Sequence, residues 1–180
     1  MGHVIGVNGV ATEPSKIQDV QNWVVPHSVM KLRGFLGLAG YYRKFVKNFG
    51  VISKPLTNLL RKGVSFKWTD EVNHAFQQLK QALTSAPVLA LPNFAQSFTV
   101  ETDASDVGIG AVLSQGGHPI AYLSKALGPK SKGLSTYEKE CMAVLLAVDH
   151  WRHYLQHQQF TILTDHRSLV HLDDQRLHTP

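Results

Sequence analysis

A proline-bracketed stretch, Pro87-Val88-Leu89-Ala90-Leu91-Pro92, divides this chain into two halves with different hydrophobic periods. Ahead of it, apolar residues recur every three or four positions. Leu56, Leu59 and Leu60 form one set; Val72, Phe76, Leu79 and Leu83 form another. That spacing places each set on one face of a helix. Beyond the prolines, Phe98, Val100 and Thr102 alternate with Thr99, Glu101 and Asp103, which is the period of a strand. The two periods in succession predict a helical unit followed by a mixed α/β unit.

The local signals fill in both units. Asn8-Gly9 between β-prone residues predicts a hairpin at the start of the chain. Pro14 opens a helix from Ser15 to about Trp23, and Ser28 caps a second that runs to about Gly40. Helix is then predicted from Tyr41 to Phe49 and from Val51 to Lys62. Thr69 caps a further helix, with Asp70 and Glu71 in the first turn, where the helix dipole favours acids. In the second half, Ser97–Asp103, Ile109–Ser114 and Pro119–Ser124 read as strands, with Gly116-Gly117 turning the second into the third. A long helix from Thr136 to Leu155, a strand from Phe160 to Thr164 and a short helix from His166 to Leu172 follow. The expected division is 1–86, a linker at 87–96, and 97–180. The fold class is α+β in the first part (a hairpin plus helices), then α/β with a mixed sheet in the order β-β-β-α-β-α.

Charge is distributed as unevenly as hydrophobicity. Residues 1–86 carry a net +7 and residues 87–180 a net −2. No acid lies between Asp19 and Asp70, where nine bases fall: Lys31, Arg33, Arg43, Lys44, Lys47, Lys54, Arg61, Lys62 and Lys67. Such a bias points to a polyanionic partner, although a solvated basic surface is the plainer alternative. Cys141 is the only cysteine, so no intramolecular disulfide is available. No apolar run approaches the ~20 residues of a membrane span, and the N-terminus has no signal-peptide pattern. The expectation is a soluble intracellular protein, in cytoplasm or nucleus, with no membrane partner and no small-molecule substrate.

Three carboxylates fall at element ends in the second half. Asp103 closes the first strand and Asp165 closes the fourth. The long helix offers Glu138 and Glu140. Ser135-x-x-Glu138 fits a capping box, whereas Glu140 lies deeper, with Ala143, Val144 and Ala147 on its face. Hard oxygen donors without cysteine suit Mg²⁺ or Mn²⁺. Two such ions ~4 Å apart can activate a water and stabilise the leaving oxygen in phosphodiester hydrolysis. Taken singly, a carboxylate at a strand end is usually a turn or cap residue; the three in this β-β-β-α-β order are more specific together than apart. His150, His153 and His157 at helical spacing raise the possibility of zinc, and Cys141 reads as a small core residue. Gly34, Gly37 and Gly40 make a flat helical stripe, suited to close approach of a nucleic-acid backbone or to helix–helix packing.

TDASDVGIGAVL, PIAYLSKAL, STYEKECMAVLLAV, WRHYL and TDHRSL together resemble the ribonuclease H domain of gypsy-like long-terminal-repeat retrotransposon polyproteins. PSKIQDVQNW, SVMKLRGFLGLAGYYRKFVKNF, ISKPLTNLL, FKWTDE and AFQQLKQALTSAPVL resemble the thumb and connecting region of the same reverse transcriptase. GHVIGVNGVA is similar to the hairpin that positions the primer end. The resemblance implies catalytic, metal-binding roles for Asp103, Glu140 and Asp165, with two Mg²⁺ or Mn²⁺ ions. It also implies primer-grip roles for Gly2, His3, Val4 and Ile5, and a duplex-facing helix from Leu32 to Tyr42. Gly37 and Gly40 match the family there, whereas Gly34 stands where a larger residue is usual. With the neighbouring bases, the expected nucleic-acid-binding set is Gly2, His3, Lys31, Arg33, Gly37, Gly40, Arg43, Lys44 and Lys47.

The polymerase's own acidic hairpin is missing from these residues. The one Asp-Asp pair, Asp173-Asp174, follows His171-Leu172 in a predicted helix. The family's pattern also continues past Pro180 with a strand and a helix carrying a fourth metal-binding Asp, which leaves turnover by these residues alone an open question. The implied activity is metal-dependent endonucleolytic hydrolysis of RNA in an RNA–DNA hybrid. The implied partners are that hybrid or a template–primer duplex, and the remainder of the polymerase. The alternative is a non-catalytic nucleic-acid-binding remnant. An actin-like ATPase, suggested by Asp106-Val107-Gly108, would need a second lobe for which the chain has no room.

Overall fold

The computed structural model describes residues 2–7, 9–131, 133–165 and Leu169. The chain opens with an antiparallel hairpin, β1 (His3–Gly6) and β2 (Gly9–Thr12). Helices α1 (Pro14–Gln21) and α2 (Val29–Tyr41) follow, the second capped by Ser28, whose hydroxyl accepts from the Lys31 amide at 3.3 Å. The helix predicted to continue to Phe49 does not. The backbone tightens into one 3₁₀ turn, Arg43–Phe45, and Asn48 turns left-handed at φ 59°. Asn tolerates that conformation better than most residues. The helix expected over Val51–Lys62 is likewise divided, into α3 (Phe49–Ile52) and α4 (Lys54–Asn58), with Pro55 at a tolerated first-turn position of α4. Helix α5 (Asp70–Thr84) starts at the Thr69 cap as expected and buries Val72, Ala75, Phe76, Leu79 and Leu83.

The core of the first half joins these faces around Leu32, Phe35, Tyr42, Phe45, Leu56 and Phe76. Leu89 belongs to the same core at 1% exposure. Its amide and carbonyl exchange two hydrogen bonds with Val10, at 2.8 and 2.7 Å, and the Ala90 amide donates to the Pro119 carbonyl at 2.7 Å. The stretch between the prolines is therefore stitched to the hairpin on one side and to the second half on the other.

The second half is a four-stranded sheet in the order β5-β4-β3-β6. Strands β3 (Thr99–Ala104), β4 (Gly108–Gln115) and β5 (His118–Ala126) form an antiparallel meander, and β6 (Thr161–Thr164) lies parallel to β3. Gly116 and Gly117 supply the positive φ angles, 54° and 79°, that the β4–β5 turn requires. One sheet face carries Val100, Ala111 and Leu113, which pack with Ala147 and Trp151. These last two come from α6 (Thr136–His150) and its C-cap. The predicted single helix to Leu155 breaks at Trp151, and α7 (Arg152–Leu155) continues after it.

The other sheet face is covered by the first half of the chain. Tyr122 packs on the first core, and the Gly50 amide donates to Ser124 Oγ at 2.7 Å. Lys54 Nζ donates to the Leu127 carbonyl at 3.0 Å. The expected mixed α/β architecture is the one observed. Apart from Leu169, the predicted helix from His166 to Leu172 lies outside the described residues, as does the Asp173-Asp174 pair. No helix among the described residues is long and apolar enough to cross a membrane.

Candidate metal centre and nucleic-acid face

Three elements bring Asp103, Glu140 and Asp165 to one end of the sheet. The last paired residues of β3 and β6 are Thr102 and Thr164, so the next residue on each strand is Asp103 and Asp165. Neighbouring strands run about 4.8 Å apart. Both aspartates are exposed. Glu140, in the second turn of α6, is 2% exposed, and its Oε1 accepts the Ala104 amide at 3.0 Å. That amide belongs to the peptide following Asp103. A buried carboxylate needs such donors, and this one is thereby pinned beside the first strand's end.

The local distinction between the two glutamates holds in three dimensions. Glu138 completes the capping box: its Oε2 accepts from the Ser135 amide at 2.7 Å, while the Glu138 amide donates to Ser135 Oγ. The Ser135 amide, then the Ser135 hydroxyl, which donates to the same oxygen at 2.8 Å, hold the Glu138 carboxyl below the usual carboxylate range. It is committed to the helix end, and Glu140 alone faces the sheet.

The sheet nevertheless lies between the acids. Residues directly opposite in antiparallel strands share a face, so Asp103 shares one with Gly110 and Ser124, on the side covered by the first half of the chain. Glu140 arrives from the α6 side. Among the described residues, no group of three or more His, Cys, Asp or Glu side chains stands close enough to hold a metal ion. This applies to the three acids and to His150, His153 and His157 alike. The acids fit a hard divalent ion in donor chemistry and in their shared strand end. Glu140 is anchored, and exposed Asp103 and Asp165 have room to change rotamer.

Lys139 is a residue that sequence reasoning missed. It is 7% exposed and pairs with Asp106 at 2.7 Å, across the β3–β4 turn. The lysine hydrogen bond, then its charge, holds the Asp106 carboxyl low. Asp106 thereby ties that turn to α6. No spacing in Glu138-Lys139-Glu140 shows that the middle residue is buried.

The expected nucleic-acid-binding residues occupy the first half. Lys31, Arg33, Arg43 and Lys47 are exposed. Lys44 lies 5.3 Å from the Phe45 ring centroid, and burial lowers its pKa. A Cβ added at Gly37 or Gly40 would meet nothing within 4 Å, and at Gly34 only Trp23 at 3.8 Å. Close helix–helix packing at Gly37 and Gly40 is thereby removed as the reason for the glycines. Gly2 gives its carbonyl to the Tyr42 hydroxyl at 3.0 Å. His3 stacks on Tyr41 at 5.0 Å and meets the edges of Tyr42 and Phe45.

Burial, then Lys44, pushes the His3 pKa down, and burial, then Arg43, does the same for His150. Both rings protonate more readily in the unfolded chain than in the fold. Their contribution to stability is therefore full above the ordinary histidine pKa of 6.5 and is lost as pH falls through the lowered values. Thermal melts between about pH 7.5 and about pH 5 are expected to show Tm falling with pH, and less steeply in His3→Gln.

A family model described as an RNase H-like domain found in reverse transcriptase matches residues 68–162. The Pol polyprotein of transposon 297 from Drosophila melanogaster is 39% identical over 170 residues, covering 94% of this chain and 16% of that protein. The transposon Tf2-3 polyprotein of Schizosaccharomyces pombe is 39% identical over 177 residues, covering 94% of this chain and 13% of that protein. The chain thus spans about one sixth or less of these relatives' length. A foamy viral protease-reverse transcriptase solved with an RNA/DNA hybrid superposes with a TM-score of 0.86 at 25% identity, over 98% of this chain and 25% of that one. The same viral enzyme solved with double-stranded DNA gives a TM-score of 0.85 at 25% identity, over 98% and 38%. The chain belongs to the RNase H-like domain family found in reverse transcriptase, and its transposon 297 and Tf2-3 relatives are retrotransposon polyproteins.

Proposed function

We propose that this chain holds an RNA–DNA hybrid and hydrolyses its RNA strand at the Asp103–Glu140–Asp165 end of the sheet. The observation that carries the reading is the bond from the Ala104 amide to Glu140, which fixes a buried carboxylate next to Asp103 and near the strand end that precedes Asp165. Asp103, Glu140 and Asp165 would hold Mg²⁺ or Mn²⁺. When bound, such ions activate the attacking water and stabilise the leaving oxygen. Glu140 sets the position of the site, and Lys139 with Asp106 holds the adjoining turn against α6. Lys31, Arg33, Arg43 and the open glycines of α2 would carry the duplex, with Gly2 and His3 beside its end.

The test is cleavage of a labelled hybrid with Mg²⁺ or Mn²⁺, against a chelator control and Asp103→Asn. Cleavage that needs the metal and is lost in the variant supports the site; metal-dependent cleavage that survives Asp103→Asn refutes it. The absence of a closed three-acid cluster among the described residues favours a second reading, a duplex-binding module without catalysis. It predicts salt-sensitive hybrid binding with no cleavage under any divalent ion. Both readings expect Gly37→Leu to weaken duplex binding by about tenfold while leaving Tm within about 2 °C, because the new side chain fills open space. Filter binding and a thermal melt on the same variant check this.

A further inference from the structure

Asp103 opens onto a cavity that the first half of the chain helps to build. This space of ≈ 120 Å³ is lined on the sheet side by Glu101, Asp103, Gly110 and Val112, among others, and on the other side by Lys47 and Asn48. Basic composition assigns Lys47 to the general duplex surface. The fold instead puts it on the cavity that Asp103 lines.

The placement of Lys47 is built, not incidental. Asn48, left-handed at φ 59°, sits above the sheet with its Oδ1 3.2 Å from where a Cβ at Gly110 would be. Two residues later the Gly50 amide bonds Ser124 Oγ at 2.7 Å. A Cβ at Gly50 would meet the Ser124 carbonyl oxygen at 3.0 Å and the Ala126 nitrogen at 3.1 Å. Glycine at both positions thus lets the loop lie close over β4 and β5, beside the strand that bears Asp103. Lys47 is exposed and makes no ion pair with Glu101 or Asp103; the ion pairs among the described residues are Lys16–Asp19 and Lys139–Asp106. Lys47 thus lines the same cavity as two carboxylates and bonds neither, which leaves its ammonium to an anion that arrives with the substrate.

We propose that Lys47 is a phosphate-binding residue of the nuclease site, delivered by the first half of the chain to hold a backbone phosphate of the strand lying against Asp103. This rests on the nuclease reading of that strand end. A nuclease needs its scissile bond held at a fixed distance from its acids, and a cation on a segment bonded to the sheet provides one such anchor. The site is then shared between the two halves, and their docking is part of its geometry.

The experiment uses the full chain and an RNA–DNA hybrid. Lys47→Ala is expected to raise the KM for hybrid about tenfold with kcat changed less than about threefold, and to lower the salt slope of binding by about 1. Lys47→Arg is expected to restore most of the loss. An unchanged KM overturns the proposal. So does faster cleavage, or cleavage at lower metal concentration, which would mean that Lys47 occupies the metal's place. A second readout does not depend on turnover. An iron chelate that releases hydroxyl radicals is attached at Lys47→Cys or at Asp103→Cys, each in a Cys141→Ser background. The two patterns of strand scission are expected to centre within about two nucleotides of each other; separation by more than about five base pairs, half a helical turn, refutes the proposal. If the wild-type chain never cleaves but the patterns coincide, the catalytic reading fails and the phosphate contact stands.

Discussion

Replacing Glu140 with glutamine is expected to reduce metal-dependent RNA cleavage by at least about a hundredfold while leaving the fold intact. The carbonyl oxygen of glutamine can still accept the Ala104 amide, so the bond at 3.0 Å survives and only the negative charge is lost. Glu140→Ala removes both. It leaves a buried amide without its acceptor and a void beside Ala143, at a cost of about 2–3 kcal/mol. For a chain of this size that lowers Tm by roughly 4–12 °C. Cleavage assays and melts on the pair separate chemistry from scaffold. A glutamine variant that melts like the alanine one would show Glu140 to be structural; one that keeps full cleavage would remove it from the site.

Gly9→Ala carries the largest expected effect on stability alone. Gly9 has φ 125°, a backbone state that L side chains rarely adopt, and an added Cβ would run into the Leu89 carbonyl oxygen. That oxygen accepts the Val10 amide at 2.7 Å, so the clash falls on the joint between hairpin and first core. The expected cost is about 2–4 kcal/mol, with a Tm lower by roughly 10 °C. Calorimetry checks it. Gly37→Ala, at one of the two open glycines on α2, provides the contrast, because its Cβ meets nothing within 4 Å.

What could be read from the sequence follows from how local each signal is. The caps at Ser28, Thr69 and Ser135 are set by residues three apart, and each caps the expected helix. The strands of the meander are set by alternation and by Gly116-Gly117, and they too lie where expected. The breaks at Asn48, Ser53 and Trp151 were not legible, because continuous helical spacing runs through all three. Tertiary docking decides them: Asn48 turns left-handed where the loop descends onto Gly110, and Trp151 is buried at 2% exposure against the sheet. The acids show the same division. Choosing Glu140 over Glu138 needed only the capping box. That Asp103 and Glu140 approach from opposite sides of the sheet depends on strand register and helix placement, which no spacing encodes. Lys139 was invisible for the same reason, since its partner lies 33 residues away.

The strip at Leu89 and Ala90 has a mechanical consequence. A hinge needs backbone whose hydrogen bonds can be exchanged for water during the swing. Here the Leu89 peptide groups are paired with Val10 and the Ala90 amide with Pro119, so the strip is a coupling rod rather than a pivot. Under the proposed duplex binding, a push on the hairpin would pass from Val10 through Leu89 and Ala90 to Pro119 on edge strand β5.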